Sequence, residues 1–175
     1  MQHILVVVDM QKDFVDGALG TKEAVGIVDA VCDRIKNHDG SILVTLDTHG
    51  KDYMATREGR FLPVPHCIKG TDGWQLNEKV AAALEAHGRY IPVEKPTFGS
   101  VRLPEYVRLL AGSEPFDLTL CGLCTDICVV SNALLLKAAF LETDIFVDAA
   151  ASAGVTPEKH EAALETMRSC QITIL

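Results

Sequence analysis

Short apolar runs rich in β-branched residues recur along the chain and predict buried strands. The runs are ILVVVD (4–9), ILVTLD (42–47), RYIPVEK (89–95), FDLTLCGL (116–123), DIFVDA (144–149) and ITIL (172–175). Runs of this length with few polar interruptions are typical of strands that are covered on both faces. The pattern therefore predicts six strands in the interior of the protein.

Segments with helical spacing of apolar residues lie between these runs. They cover residues 22–38, 74–87, 103–111, 126–140 and 156–170, and several end next to a glycine, which favours helix termination. Strands that alternate with helices over short connections favour a parallel sheet, because right-handed crossovers place the helices on its faces. We therefore predict an α/β fold with three α/β/α layers around a doubly wound, mainly parallel six-stranded sheet.

The length and composition favour a single domain over residues 1–175. With 175 residues, of which 48% are hydrophobic, the chain can close one sizeable core. A formal net charge of −8 at pH 7 argues against a nucleic acid or a membrane as partner, because both bind basic surfaces. The sequence shows no secretory signal and no apolar run of about 20 residues, so we expect a cytoplasmic protein.

Polar residues follow four of the predicted strands, where open parallel sheets bind ligands. Asp9, Asp47 and Lys95 end the first three strands, and the fourth strand runs into CGLCTDIC (121–128). The second strand is followed by residues 48–74, a long segment without a clear period, and loops of that length usually serve a site. The sequence therefore predicts that the chemistry lies at the carboxyl edge of the sheet.

Three cysteines lie where the fourth strand gives way to a helical pattern. Cys121 falls within the strand run and is expected to be a small buried hydrophobe. Cys121 and Cys124 form a CxxC, but no second pair completes a zinc site. Cys128 would lie in the first turn of a helix capped by Thr125 or Asp126, where N–H groups stabilise a thiolate and can hold an oxyanion. Cys128 is therefore the candidate nucleophile, with a structural role as the alternative.

Asp9 and Lys95 are the candidate partners of this thiol. Burial beside a thiol would raise the pKa of Asp9, which suits a group that accepts a proton and later returns it. Lys95 precedes Pro96, which forces a departure from regular structure, and its ammonium would offset the charge of a tetrahedral intermediate. A capping role for Asp9 and a solvated surface position for Lys95 are the alternatives.

Taken together, these segments resemble the isochorismatase-like cysteine hydrolases, the superfamily that includes nicotinamidases. The matching motifs are VVVDMQKDFVDGALG (6–20), LDTH (46–49), PHCIKGTDGW (65–74), EKPTFGS (94–100) and CGLCTDICVVSNALLL (121–136). The resemblance implies a catalytic triad of Asp9, Lys95 and Cys128. It also implies a cis peptide bond between Leu123 and Cys124, with the N–H groups of Cys124 and Cys128 as the oxyanion hole.

A metal site is the second expectation. Asp47 and His49 end the second strand, and the long loop supplies Glu58 and His66. Nitrogen and oxygen ligands of this kind suit Zn²⁺, Mn²⁺ or Fe²⁺. The resemblance to nicotinamidases implies a divalent metal on these four residues, with zinc preferred. Other members of the superfamily lack the metal, so a metal-free loop is the alternative.

The resemblance further implies a hydrolase that cleaves the C–N bond of a small amide through a thioester, with nicotinamide as the leading substrate. Phe14 and Phe98 would then pack on the substrate ring. The alternatives are an amidase for another carbamoyl or ureido compound, or a catalytically idle member that binds metal or protein. The helix after Cys128 is apolar over a broad arc, which favours a homo-oligomer.

Overall fold

The computed structural model describes residues 1–175 and contains one six-stranded sheet. Its strands are β1 (Gln2–Val8), β2 (Ser41–Asp47), β3 (Tyr90–Lys95), β4 (Phe116–Leu123), β5 (Ile145–Ala153) and β6 (Thr173–Ile174). The spatial order is β3-β2-β1-β4-β5-β6, and all neighbouring strands pair in parallel. The predicted fold class is confirmed.

Helices cover both faces of the sheet. They are α1 (Lys12–Val15), α2 (Lys22–Gly26), α3 (Val28–Lys36), α4 (Arg57–Phe61), α5 (Glu78–His87), α6 (Leu103–Ala111), α7 (Val130–Ala139) and α8 (Pro157–Ser169). None of them combines the length and the apolar character that crossing a bilayer requires.

The sheet divides the core into two clusters, because successive side chains of a strand point to opposite faces. In β1, Ile4 and Val6 pack against α6, α7 and α8, whereas Leu5 and Val7 pack against α2, α3 and α5. All four side chains are almost fully buried. The continuous apolar runs in the sequence reflect this double burial.

Strand β1 lies near the centre, and the chain builds outwards from it in two directions. The segment from β1 to β3 extends to one edge, and the chain then crosses to β4 on the other side of β1. The gap beyond the carboxyl ends of β1 and β4 is therefore the switch point, where sheets of this kind bind ligands.

Three helices differ from the sequence prediction, and one of them, predicted over 126–140, begins at Val130 as α7. The segment 22–38 breaks at Ile27, directly after Gly26, because glycine is a poor helix former. Helix α5 begins at Glu78 instead of Trp74, because the main chain before it is hydrogen-bonded to the segment after β1. Lys12 N–H donates to the Gln75 carbonyl oxygen, and Asn77 N–H donates to the Met10 carbonyl oxygen. The long loop also contains a short 3₁₀ turn, Tyr53–Ala55, and helix α4.

We expect Gly122→Ala to destabilise the fold. Gly122 pairs with Val8 in the sheet and has a φ of +115°, and a Cβ there would overlap the Val8 carbonyl oxygen. Such a backbone costs a residue with a side chain about 1–3 kcal/mol before any clash is counted. The urea midpoint of this variant should fall, whereas Gly26→Ala, which has open space around it, should leave the midpoint unchanged or raise it. An unchanged midpoint in Gly122→Ala would contradict the assigned strain.

Candidate active site and metal centre

Four adjacent strands deliver the predicted polar residues to one edge of the sheet. Lys95 and Asp47 are the last residues of β3 and β2 and are paired with each other in register. Asp9 directly follows β1, and Cys128 follows β4 by five residues. The side chains of Asp9, Lys95 and Cys128 meet in the interior, and each is at most 5% exposed.

Asp9 and Lys95 form an ion pair that is closed to solvent. Lys95 Nζ lies 2.6 Å from Asp9 Oδ2. The other carboxylate oxygen of Asp9 accepts a hydrogen bond of 2.6 Å from the Thr45 hydroxyl. Asp9 adopts a φ of +47°, which ends β1 at this point. The strained backbone and the two partners together fix where the carboxylate points.

The Lys95 ammonium also reaches the thiol. Its Nζ lies 3.5 Å from Cys128 Sγ, 3.4 Å from Asp47 Oδ1 and 3.1 Å from the Thr97 carbonyl oxygen. Burial lowers the pKa of Lys95, but the negative charges of Asp9 and Asp47 outweigh it and raise the pKa above its usual value. Lys95 is therefore a permanent cation next to the sulfur.

The thiol and the carboxylate both have raised pKa values. For Cys128 the main cause is burial, followed by the negative charge of Asp9, and the charge of Lys95 only partly opposes them. Burial also raises the pKa of Asp9, against the opposing charge of Lys95. In the resting protein the raised pKa of Cys128 favours a neutral thiol, and the ion pair with Lys95 favours the carboxylate form of Asp9. That carboxylate can take the proton when the sulfur attacks.

Cys128 lies in a π-helical turn, Thr125–Val129, that precedes α7. The expectation that Thr125 or Asp126 caps a helix here is wrong, because both side chains bond elsewhere. The Thr125 hydroxyl lies 2.8 Å from His160 Nδ1, and Asp126 accepts a hydrogen bond from Val155 N–H. Cys124 occupies the N-cap position without a side-chain bond. Contacts from the β5–α8 region therefore hold the turn.

The expected cis bond between Leu123 and Cys124 is also wrong. This bond is trans, as is every other peptide bond in the structure. The trans form is favoured by about 2.5–4 kcal/mol before a residue other than proline. The oxyanion hole formed by the N–H groups of Cys124 and Cys128 remains a prediction.

The four predicted metal ligands converge beside the triad. His49 Nε2 lies 2.9 Å from Asp47 Oδ2 and 3.5 Å from Glu58 Oε1. His66 Nε2 lies 3.5 Å and 3.8 Å from the same two oxygens. Asp47, His49 and His66 are buried and present ligand atoms within 4.8 Å of one another. Glu58 stands on α4 and is more exposed than the other three.

The donor set fits a divalent metal ion. The Val64 carbonyl accepts from His66 Nδ1 at 2.8 Å, which leaves Nε2 of the neutral ring with a free lone pair facing the cluster. His49 Nε2 is buried without a well-aligned hydrogen bond. Burial raises the pKa of Asp47, but the close approach of His49 and His66 and the charge of Lys95 bring it below its usual range. Asp47 is therefore a carboxylate.

A buried amide that the sequence analysis did not single out joins two parts of the site. Asn132 Nδ2 donates to the carbonyl oxygens of Cys128 at 2.8 Å and Phe98 at 3.2 Å, and Asn132 Oδ1 accepts from Ser100 N–H. Asn132 lies four residues after Cys128, so the two share a helical face. That spacing is the only signal in the sequence that could have pointed to it.

A small cavity of about 50 Å³ opens onto the thiol. Its lining residues are Phe14, Leu19, Asp47, Glu58, Leu62, His66, Phe98, Cys124, Ile127 and Cys128. Phe14 packs against His66 with ring centroids 5.4 Å apart, whereas Phe98 is 44% exposed. The cavity is far smaller than the roughly 300–1,000 Å³ of pockets for drug-sized ligands, so it excludes ligands of that size.

The fold and the site thus define a class: a three-layer α/β protein with a buried thiol, carboxylate and ammonium beside a cluster of metal-binding side chains. The chain belongs to the isochorismatase family, since the model of the isochorismatase domain matches residues 3–175. It is a nicotinamidase-like member of that family.

Relatives support this assignment. The chain is 31% identical over 144 residues to the isochorismatase family protein PncA of Bacillus subtilis (strain 168), covering 77% of this chain and 78% of that protein. A crystal structure of nicotinamidase/pyrazinamidase PncA from Bacillus subtilis superposes with a TM-score of 0.86 at 28% identity over 99% of both chains. The pyrazinamidase of Pyrococcus horikoshii in complex with zinc gives a TM-score of 0.78 at 28% identity, over 100% of this chain and 99% of that chain.

We expect the Cys128 thiol of the metal-free protein to remain protonated at about pH 8, near the ordinary Cys pKa of about 8.5. Burial and the Asp9 charge raise its pKa. The measurement is the difference in ultraviolet thiolate absorbance between wild type and Cys128→Ser across a pH titration. A thiolate signal already present at neutral pH would contradict this prediction.

Proposed function

We propose that the protein, as one domain over residues 1–175, is an amidohydrolase that cleaves the C–N bond of a small neutral amide, with nicotinamide as the preferred substrate. The observation that carries this proposal is the position of the Lys95 ammonium, whose Nζ lies 3.5 Å from Cys128 Sγ and 2.6 Å from the Asp9 carboxylate. A thiol needs a base and a means of offsetting charge to act as a nucleophile. Asp9 and Lys95 supply these two functions.

In the first half of the reaction, Cys128 Sγ attacks the carbonyl carbon while its proton passes to Asp9. Negative charge then develops on the carbonyl oxygen, where Lys95 and the N–H groups of Cys124 and Cys128 would stabilise it. The C–N bond breaks as Asp9 returns the proton to the nitrogen. Ammonia leaves, and the acyl group remains on Cys128 as a thioester.

In the second half, water replaces ammonia. Asp9, again a carboxylate, takes a proton from the water as its oxygen attacks the thioester carbon. The C–S bond breaks, the carboxylic acid product leaves, and Asp9 returns the proton to the sulfur. The raised pKa of Asp9 suits a group that accepts and gives up a proton twice in each cycle.

Asp47, His49, Glu58 and His66 would hold a divalent ion, with zinc preferred and manganese or iron as alternatives. When bound, the ion supplies a Lewis-acidic anchor for a donor atom of the substrate. Asp47 links this cluster to the triad, since it lies 3.4 Å from Lys95 Nζ. An anchored substrate would therefore be held within reach of the thiol.

The cavity lining favours a neutral aromatic amide. Its walls include Phe14, Phe98 and Ile127, and its polar members include the carboxylates of Asp47 and Glu58 but no lysine or arginine. A flat ring packs well on aromatic and aliphatic walls. An anionic substrate would meet carboxylates without a cation in the lining to pair with it.

We expect Cys128→Ala to reduce ammonia release from nicotinamide by at least about 10³-fold, because Cys128 is the thiol that the Lys95 ammonium contacts. The measurement is ammonia production by each variant, with capture of the acyl group on wild type by hydroxylamine as a second readout. Cys170→Ala is the matched control, since Cys170 lies outside the site, and it should retain wild-type activity.

Two outcomes would contradict the proposal. Turnover by Cys128→Ala at the wild-type rate would exclude the thioester route. Failure of wild type, with zinc, manganese or iron added, to release ammonia from any of a panel of carboxamides and ureides would favour a catalytically idle protein. Preference for a ureide over nicotinamide within that panel would reassign the substrate and keep the mechanism.

We also expect metal removal by a chelator to abolish nicotinamide hydrolysis and added Zn²⁺, Mn²⁺ or Fe²⁺ to restore it, because four buried or half-buried ligand side chains converge there. His66→Ala should prevent restoration. Glu58→Gln tests the most exposed ligand separately. Full turnover after metal content has been measured as negligible would refute a role for the ion.

A further inference from the structure

One buried side chain outside the triad and the ligand set holds the base of the metal loop, residues 48–74. Gln11 is fully buried. Its Oε1 accepts a hydrogen bond of 2.7 Å from Asp47 N–H, and its Nε2 donates to the Asp47 carbonyl oxygen at 2.8 Å and to the Trp74 carbonyl oxygen at 2.9 Å. Both donor hydrogens of the amide are therefore used.

The Gln11 amide takes the place of main-chain hydrogen-bonding groups that β1 does not provide at this position. The ladder between β1 and β2 ends at Val8 and Thr45, because Asp9 turns away with a positive φ. The N–H and C=O of Asp47 then have no main-chain partner on this side, although both are buried. The Gln11 side chain offers the same donor and acceptor that a neighbouring strand would offer.

The orientation of this amide is not interchangeable. Asp47 N–H can only donate, and the carbonyls of Asp47 and Trp74 can only accept. A flipped amide would lose all three bonds. The Gln11 main chain is held independently, since it forms a bridge with Leu76 and its neighbours Met10 and Lys12 bond to residues 77 and 75.

Gln11 thus connects the two ends of the metal loop. Asp47 directly precedes the loop and Trp74 ends it, while His49, Glu58 and His66 lie between them. A second bond at the base, from Trp74 Nε1 to the Thr48 hydroxyl at 2.9 Å, closes the same junction. Fixing the base of a long loop lowers the entropy that the loop would lose when its ligands gather around an ion.

We propose that Gln11 is a positioning residue for the metal centre, which holds the main chain of Asp47 and closes the base of the loop that carries the other ligands. This inference rests on the proposed metal site. Its consequence is specific: loss of the Gln11 amide weakens metal binding, whereas loss of another equally buried amide in the site does not.

The test compares Gln11→Met with Asn132→Leu. Each variant removes a buried side-chain amide that makes three hydrogen bonds and replaces it with an apolar side chain of similar volume. The Asn132 amide bonds to Cys128 and to the segment after β3, and it makes no bond to the metal loop. The readout is the Zn²⁺ dissociation constant from competition with a chromophoric chelator. The visible spectrum of Co²⁺-loaded protein serves as a second measure of ligand geometry.

We expect Gln11→Met to weaken Zn²⁺ binding by about 10- to 100-fold, the usual effect of removing a partner of a metal ligand, and Asn132→Leu to stay within about threefold of wild type. Gln11→Asn, which keeps the amide but shortens its reach, replaces Gln11→Met if the latter does not fold. Its Co²⁺ spectrum should differ from that of wild type.

Three results would overturn the inference. A folded Gln11→Met or Gln11→Asn that binds Zn²⁺ as wild type does would remove the positioning role. If Asn132→Leu weakened Zn²⁺ binding as much as Gln11→Met does, the effect would be due to general destabilisation of the protein. A wild-type protein that binds none of Zn²⁺, Mn²⁺ and Fe²⁺ would refute the metal site itself, and that result is distinguishable because it appears before any variant is made.

Discussion

The ion pair between Asp9 and Lys95 joins the ends of β1 and β3 across the end of β2, out of reach of solvent. Removing two charges from water costs several kcal/mol per ion, so such a pair persists only where each partner is fully engaged. Asp9 receives the Thr45 hydroxyl, and Lys95 donates to the Thr97 carbonyl oxygen. Any relative shift of the three strand ends would leave a buried charge without its partner. The pair therefore sets the geometry of this edge of the sheet.

The same demand for satisfied polar groups explains why the surrounding network is built from short neutral side chains. Main-chain groups that emerge from the sheet at this edge remain buried and need partners. Thr45, Gln11 and Asn132 provide them from three different elements, and all three are fully buried. The network therefore satisfies buried main-chain groups on several sides of the Cys128 thiol.

Much of this arrangement could be predicted from the sequence because it follows from strand position. Asp9, Asp47 and Lys95 are polar residues that end apolar runs, and parallel strands end at a common edge. The turn that carries Cys128 could be predicted less well from the sequence. Asp126 matches the local pattern of a helix cap, but its carboxylate accepts a hydrogen bond from Val155 N–H, 29 residues further along. Local rules fail where a distant partner competes for the same atom. The role of the Gln11 amide could not be predicted for the same reason, since both of its partner segments are distant in sequence.

The charges of the triad and of the metal-ligand cluster bear on which substrates the site could bind. Asp9, Asp47 and Glu58 bring three carboxylates against the single ammonium of Lys95, so with neutral histidines the site has two excess negative charges. Burial is the main cause of the raised pKa values of Asp9 and Glu58, and the charge of Asp47 adds to it, so further negative charge beside Asp47 is disfavoured. A divalent cation would balance it, with a charge that dominates its surroundings. A neutral amide entering such a site leaves the balance intact, whereas a carboxylate-bearing substrate would restore the repulsion that the cation relieves. On the proposed function, charge as well as shape would therefore favour uncharged amides as substrates.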